Sequence, residues 1–343
     1  MLNKDIIASL FKGKNILITG GLGSIGSEII NQLIMYNPKQ IKVFDNRETE
    51  LFYFKQEFQN ESNVEFLFGD IRDKERLDKA TKGIDIIFHA AAMKHVIVCE
   101  YDPVEAVKTN VLGTQNVIDC AFNHQVEKLI HISTDKVVNP TNVMGATKLL
   151  AERLVSAMCN MNGNRDTKIG IVRFGNVLAS RGSVLEIWDK QIKEGRKITI
   201  TNAKMTRFFM LIPDSVNLVF EAAYYADRGE TYILKMPSVR IVDLAEAFLS
   251  IKGLPNDHYE IIGTKPGEKM HEGLIFEDEA GLLMESSELF IRLPLRVDIN
   301  YMMKQVESLG FNKSKLSSFS SENPNTLMSV SEIRKMLSDY YSS

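Results

Sequence analysis

The segment 15–26 constrains the fold of this chain more than any other: an apolar, β-rich run ends at Thr19 and passes into a turn carrying Gly20, Gly21, Gly23 and Gly26. Glycines let a backbone turn tightly and approach a pyrophosphate, whose charge the N-terminus of the following helix stabilises. A glycine triplet by itself carries little, because turns elsewhere use glycine for positive φ alone. Here a strand precedes it, a helical pattern to about Met35 follows, and an acid, Asp45, ends the second apolar run about 20 residues past the last glycine. That context predicts a dinucleotide held by Thr19, Gly20, Gly23, Ser24, Ile25 and Gly26, with Asp45 bonding the adenosine ribose hydroxyls.

Apolar runs at 15–19, 41–44, 64–68, 84–88, 128–132 and 168–173 alternate with longer helical patterns. That rhythm predicts an α/β fold with a doubly wound parallel sheet over residues 1–175. Beyond 175 the runs become shorter and irregular, as at 198–200 and 231–234, between helical stretches at 215–226 and 242–251. Residues 176–343 are expected to form mainly a smaller α/β substrate-binding lobe, with some segments returning to the first domain. A chain of 343 residues exceeds what one core usually holds, so chemistry is expected in a cleft between lobes. Ser329 and Glu332 stand at capping-box spacing before a final amphipathic helix, and 314–325 reads as a loop.

A formal charge of −3 leaves no basic surface for nucleic acid. Cys99, Cys120 and Cys159 have no metal-ligand spacing and read as inert buried thiols in a reducing compartment. His89, His95 and His131 share no ligand spacing either, so structural roles and no metal are expected. Residues 1–14 alternate apolar and charged side chains, which predicts a short amphipathic helix on the surface, no membrane insertion and a cytoplasmic location.

Further motifs carry a resemblance. The glycine turn, the run Ala90, Ala91, Ala92 after the fourth strand, Asn110 within 108–114, and Lys148 together resemble the extended short-chain dehydrogenase/reductase superfamily over nearly the whole chain. Within it, Ser133 to Lys136, Asn142 to Lys148, Arg173 to Ser183, Met205 to Phe208 and Gly267 to Lys269 look like the UDP-N-acetylglucosamine 4,6-dehydratases of polysaccharide biosynthesis. The resemblance implies a Rossmann-like fold, NAD as cofactor and UDP-N-acetylglucosamine as substrate. It also implies C4 oxidation, loss of water across C5 and C6, and return of the hydride to C6, which gives a UDP-4-keto-6-deoxy-N-acetylhexosamine. A homo-oligomer is the expected state. One position departs from the superfamily: Met144 stands where the active-site tyrosine belongs, and a thioether is neither acid nor base. Some members of the branch carry methionine there as well.

On this resemblance Asp135 is the acid for the departing C6 hydroxyl and Lys136 the base at C5. A free Asp titrates near ~3.9 and a free Lys near ~10.4, and burial is expected to shift each toward its role, raising Asp135 and lowering Lys136. Thr134 is expected at the sugar 4-oxygen, with Lys148 at the nicotinamide ribose one helical turn from Met144. The base of the first step stays open among Asp135, Lys136 and a water ordered by Lys148, with Asp135 preferred. Asp70 with Ile71, Ala90 to Ala92, Lys94 and Asn110 complete the cofactor site. Arg47 is able to pair with a 2′-phosphate, which keeps NADP open. Lys94, Arg173, Asn176, Arg181, Arg207 and Glu268 are expected to hold the nucleotide sugar. A UDP-hexose 4-epimerase is the runner-up, disfavoured because epimerisation needs no C5 base; a non-catalytic nucleotide-sensing protein is the third reading.

Overall fold

Runs rich in Ile, Leu and Val, apolar on both faces, build a parallel sheet covered on both sides by helices. The computed structural model describes residues 2–161, 166–178, 180–295 and 298–342. The first six strands are β1 (Asn15–Thr19), β2 (Gln40–Asp45), β3 (Val64–Phe68), β4 (Ile86–His89), β5 (Lys128–Ile132) and β6 (Lys168–Arg173). Past them come β7 (Asn176–Val177), β8 (Ile198–Ile200), β9 (Thr206–Met210), β10 (Arg228–Leu234), β11 (Ser238–Arg240) and β12 (Tyr259–Ile261). The last strands are β13 (Gly273–Ile275), β14 (Leu283–Glu285), β15 (Leu289–Arg292), β16 (Asn312–Lys313) and β17 (Phe319–Ser320).

The main sheet has the order β16-β14-β15-β10-β6-β5-β4-β1-β2-β3. It is parallel from β3 to β10, and β15, β14 and β16 join antiparallel. This is a doubly wound, Rossmann-like sheet. The chain winds one way through β2 and β3, then returns to the other side of β1 with β4, so the strand order reverses between β1 and β4. A ligand crevice opens outside the carboxyl ends of strands at such a switch point.

Alternation along each strand sorts side chains into two cores. Ile16 and Ile18 face one cluster with Phe88, while Leu17 and Ile87 face the other. Strands β10, β14, β15 and β16 extend this same sheet, although they lie beyond residue 176. The other late strands form the small sheets β11-β9-β7, β12-β8 and β13-β17. A third core around Trp188, Phe209 and Phe248 packs beside them. The terminal helix Val330–Ser342 adds Ile333 and Leu337 to that core. Its capping box is formed: the Ser329 amide donates to Glu332 Oε2 at 2.8 Å, and the Glu332 amide donates to Ser329 Oγ at 3.4 Å.

The N-terminal helix Lys4–Phe11 is the amphipathic surface helix expected, with Lys4, Asp5, Ile6 and Ser9 exposed. Its apolar face reaches deep: Phe11 is fully buried, with its ring 5.9 Å from Phe88 and 4.7 Å from Phe220. Edge-on aromatic packing under the sheet gives its last turn a core role that a short alternating segment does not reveal. Cys99 and Cys120 are free, buried thiols, and the Cys159 side chain lies outside the described residues. Among the described residues no helix is long and apolar enough to cross a membrane.

Candidate active site

At the carboxyl end of β1 the glycine turn presses against the strand beside it. A Cβ on Gly20, whose φ is +69°, would stand 2.5 Å from the Ala91 backbone nitrogen, so the turn lies directly on the Ala90–Ala91 segment after β4. Gly23 caps the helix Ser24–Ile34 without a side chain, which leaves its first-turn N–H groups without a side-chain acceptor. Asp45, buried at the end of β2, accepts from the Leu22 amide at 3.1 Å and so ties the turn to the second strand. Its other oxygen accepts from the Arg47 amide and from Arg47 Nε, each at 3.1 Å. Ser24 Oγ accepts from the Arg181 amide at 2.9 Å, and the Arg181 guanidinium donates to the Leu22 carbonyl. Lys94 donates to the Arg181 carbonyl at 2.7 Å, and burial lowers its pKa. Three cationic side chains, Arg47, Lys94 and Arg181, thus surround an uncapped helix N-terminus. This chemistry fits a dinucleotide pyrophosphate.

Beyond the end of β3, Asn46, Phe68, Gly69, Asp70, Arg72 and Arg76 border a cavity of about 460 Å³. Asp70 accepts from Asn46 Nδ2, the Arg72 amide and the Arg72 guanidinium. Burial works against its charge, but these bonds outweigh it and hold the carboxyl below its ordinary value. Ile71 is buried, and its carbonyl accepts from Asn116. Asn110 is buried in a π-helical turn, where its amide bridges the Met93 backbone and Thr147 Oγ1. It therefore joins the segment following Ala92 to the helix Val143–Met161.

Strand β5 delivers the reactive cluster at its carboxyl end. Thr134 caps a single 3₁₀ turn, Asp135–Val137, which turns Asp135 inward and lays Lys136 alongside it. Asp135 is fully buried; its Oδ1 accepts from Thr134 Oγ1 and from Lys136 Nζ, both at 2.9 Å, while its Oδ2 has no partner among the described residues. Lys136 also donates to Asn176 Oδ1 at 3.1 Å. A Cβ on Gly145 would collide with the Lys136 carbonyl, so glycine lets the helix Val143–Met161 rest on this turn. From that helix Lys148 reaches the Ile132 carbonyl at 2.5 Å, and burial lowers its pKa to about 8. Met144 is buried with Cys99 and Ala106, and Met93 and Val96 pack against them.

Two expectations are corrected. Burial does oppose the charge on Lys136, but attraction to Asp135 and Glu272 outweighs it, so its pKa is raised and not lowered. Arg173 is not a nucleotide ligand: it is fully buried, 2.8 Å from Glu152 on one side and 2.8 Å from Glu279 on the other, and it also donates to the Leu274 carbonyl. Its donors are spent inside the fold. Arg207, also buried, donates to the carbonyls of Thr206, Lys269 and Met270 and sits 3.5 Å from Glu268. The Gly267 carbonyl accepts from Thr141 and Asn142, which joins this loop to the segment before Met144. Sequence reading passed over Glu272, which lies 3.4 Å from Lys269 and 4.0 Å from Arg207, and gave His131 a structural role without its partner, Lys148. Glu272 lies only three residues past Lys269, but nothing local shows which cations it meets.

A family model described as polysaccharide biosynthesis protein matches residues 16–293. The chain belongs to this family. Among the family's relatives, an uncharacterised membrane protein of Methanocaldococcus jannaschii is 51% identical over 86% of this chain and 90% of its own length. A UDP-N-acetylglucosamine 4,6-dehydratase (inverting) of Campylobacter jejuni is 40% identical over 96% of this chain and 98% of its own. Proteins named UDP-glucose 4-epimerase also match, for example 38% identical over 96% of each chain for that of Rickettsia rickettsii. The solved structure of Pen from Bacillus thuringiensis superposes with a TM-score of 0.88 at 40% identity, covering 96% of this chain and 99% of that one.

Proposed function

We propose that this protein is a UDP-N-acetylglucosamine 4,6-dehydratase that uses NAD and serves surface polysaccharide or glycan biosynthesis. The observation that carries the reading is the Asp135–Lys136 pair, joined at 2.9 Å, with Asp135 fully buried, Lys136 partly exposed and Asp135 Oδ2 unpartnered among the described residues. Dehydration needs an acid for the leaving hydroxyl and a base at C5, and one proton moved from Nζ to Oδ1 puts both groups in those states. In the free protein Lys136 is held as its ammonium by attraction to Asp135 and Glu272. Bound ligands that shut out water would disfavour both charges and so favour the neutral pair.

The dinucleotide, when bound, supplies the acceptor and donor of the hydride. The uncapped helix N-terminus, Lys94 and Arg181 hold its pyrophosphate, Asp45 its adenosine ribose, and Lys148 its nicotinamide ribose. Thr134 orients the sugar 4-oxygen, whose hydroxyl proton passes to a water ordered by Lys148 as C4 gives up its hydride and returns to Asp135 once the C6 hydroxyl has left as water. Asp135 protonates the departing C6 hydroxyl, and Lys136 takes the C5 proton and returns it as C6 is reduced. Arg207 and Glu268 brace the loop that closes over the nucleotide sugar. Met144 adds no acid or base; it fills the wall of the cleft. The division near residue 175 belongs to the same proposal, with β7, β9 and β11 on the substrate side.

Asp45 sets the cofactor. Like charges facing each other cost several kcal/mol, so calorimetric titration should give NAD binding more than about tenfold tighter than NADP. Tighter NADP would mean that Arg47 leaves Asp45 to pair with the 2′-phosphate.

The function itself is tested by incubating the protein with UDP-N-acetylglucosamine and weighing the product. Loss of one water without added NAD being consumed is expected. Unchanged mass with a new sugar configuration would select the 4-epimerase that the Rickettsia relatives bring in, and the absence of turnover on any UDP-hexose would leave a nucleotide sensor. A cytoplasmic location is supported by the free thiols Cys99 and Cys120. Self-association is supported by the exposed apolar side chains Ile97, Tyr101, Val104, Leu112 and Leu150 on neighbouring helices.

A further inference from the structure

Thr19, His89 and His131 are register partners across β1, β4 and β5, so they form one row on one face of the sheet at the ligand end. All three are buried, and Lys148 descends onto the row from the helix above. Counting protons fixes who donates. Thr114 Oγ1 gives its single proton to the Asn110 carbonyl at 2.7 Å, so it accepts from His89 Nε2 at 3.0 Å. In the neutral ring His89 Nδ1 then accepts from Thr19 Oγ1 at 2.8 Å. Burial, followed by the nearby Lys148, lowers its pKa to about 3, in agreement with this assignment.

The His131 ring stands 5.1 Å from His89, and its Nε2 lies 3.2 Å from Lys148 Nζ. An ammonium only donates, so Nε2 is bare and the His131 proton is on Nδ1. Nδ1 is buried without a partner among the described residues. Such an orphan costs stability, and a ring kept at that cost is kept for its other nitrogen. We propose that His131 is a positioning residue: its Nε2 and the Ile132 carbonyl take two of the three Lys148 donors and aim the third at the nicotinamide ribose. The second half of this inference rests on the dehydratase reading of Lys148.

The test compares His131→Leu, which deletes the acceptor, with His131→Gln, whose amide oxygen is able to replace Nε2. NAD affinity is measured by calorimetry without sugar, kcat and KM with UDP-N-acetylglucosamine, and folding by thermal melting. In the leucine variant, NAD affinity and kcat should fall about tenfold to a hundredfold, what a hydrogen bond to a charged group is worth, with the sugar KM nearly unchanged. The glutamine variant should recover most of both. Wild-type NAD affinity in a folded leucine variant would overturn the proposal, as would a folded glutamine variant as impaired as leucine. If leucine does not fold, glutamine alone decides: near-wild-type affinity upholds the role and a tenfold loss overturns it. A wild-type enzyme that binds NAD but leaves UDP-N-acetylglucosamine intact defeats the dehydratase reading, while the affinity comparison still judges His131.

Discussion

Lys136→Ala is expected to lower the dehydration rate by about 10²- to 10⁴-fold, the usual worth of a positioned acid or base, while the sugar's dissociation constant changes little. A base acts on the transition state, so its removal appears in kcat far more than in binding. Because Lys136 also balances the Asp135 charge, a second variant is needed to separate the two roles. Lys136→Arg keeps the positive charge beside Asp135 but cannot take a proton at neutral pH. Both variants should stall with absorbance from reduced nicotinamide and no dehydrated product. In deuterated water the wild-type enzyme should place deuterium at C5. An arginine variant that dehydrates near the wild-type rate would reduce Lys136 to a counter-ion and move the base to Asp135 or a bound water.

The second large effect is on stability. Arg173→Leu removes the guanidinium that Glu152 and Glu279 share, leaving two buried carboxylates without their main counter-charge. Breaking a buried pair from one side costs about 3–5 kcal/mol, so the denaturant midpoint should fall steeply at neutral pH. Burial raises the pKa of Glu279, but attraction to Arg173 and its hydrogen bonds outweigh this and hold it below its ordinary value. The sign follows: the stability it contributes is present above the unfolded carboxyl pKa and is lost as pH falls through the depressed folded value. The deficit of the variant should accordingly shrink in acid. A variant that keeps wild-type stability and shows only a raised sugar KM would return Arg173 to the nucleotide site.

Much of the frame was legible because it depends on short-range rules. Strand period, glycine at a tight turn and an acid at the next strand end are set within a few residues, and β1, β3, β5 and β6 lie where the apolar runs stand in the sequence. The adjacency of Asp135 and Lys136 needs only one turn after a strand, and the cap at Ser329 only three residues. These features were determined by the sequence by itself. Tertiary structure alone decided which way the charges point. Arg173 reads as a free cation at a motif edge until its partners arrive from 21 and 106 residues away. Lys136 reads as a buried lysine with a lowered pKa until Asp135 and Glu272 outweigh burial. His131 meets Lys148 only because β5 lies beneath the helix that follows it, and Phe11 enters the core only where β4 and the helix Ile212–Tyr225 meet it. Backbone preference is local, but the energy of a buried charge or ring depends on neighbours brought in by strand order, and apart from Asp135 beside Lys136 no short window along the chain contains them.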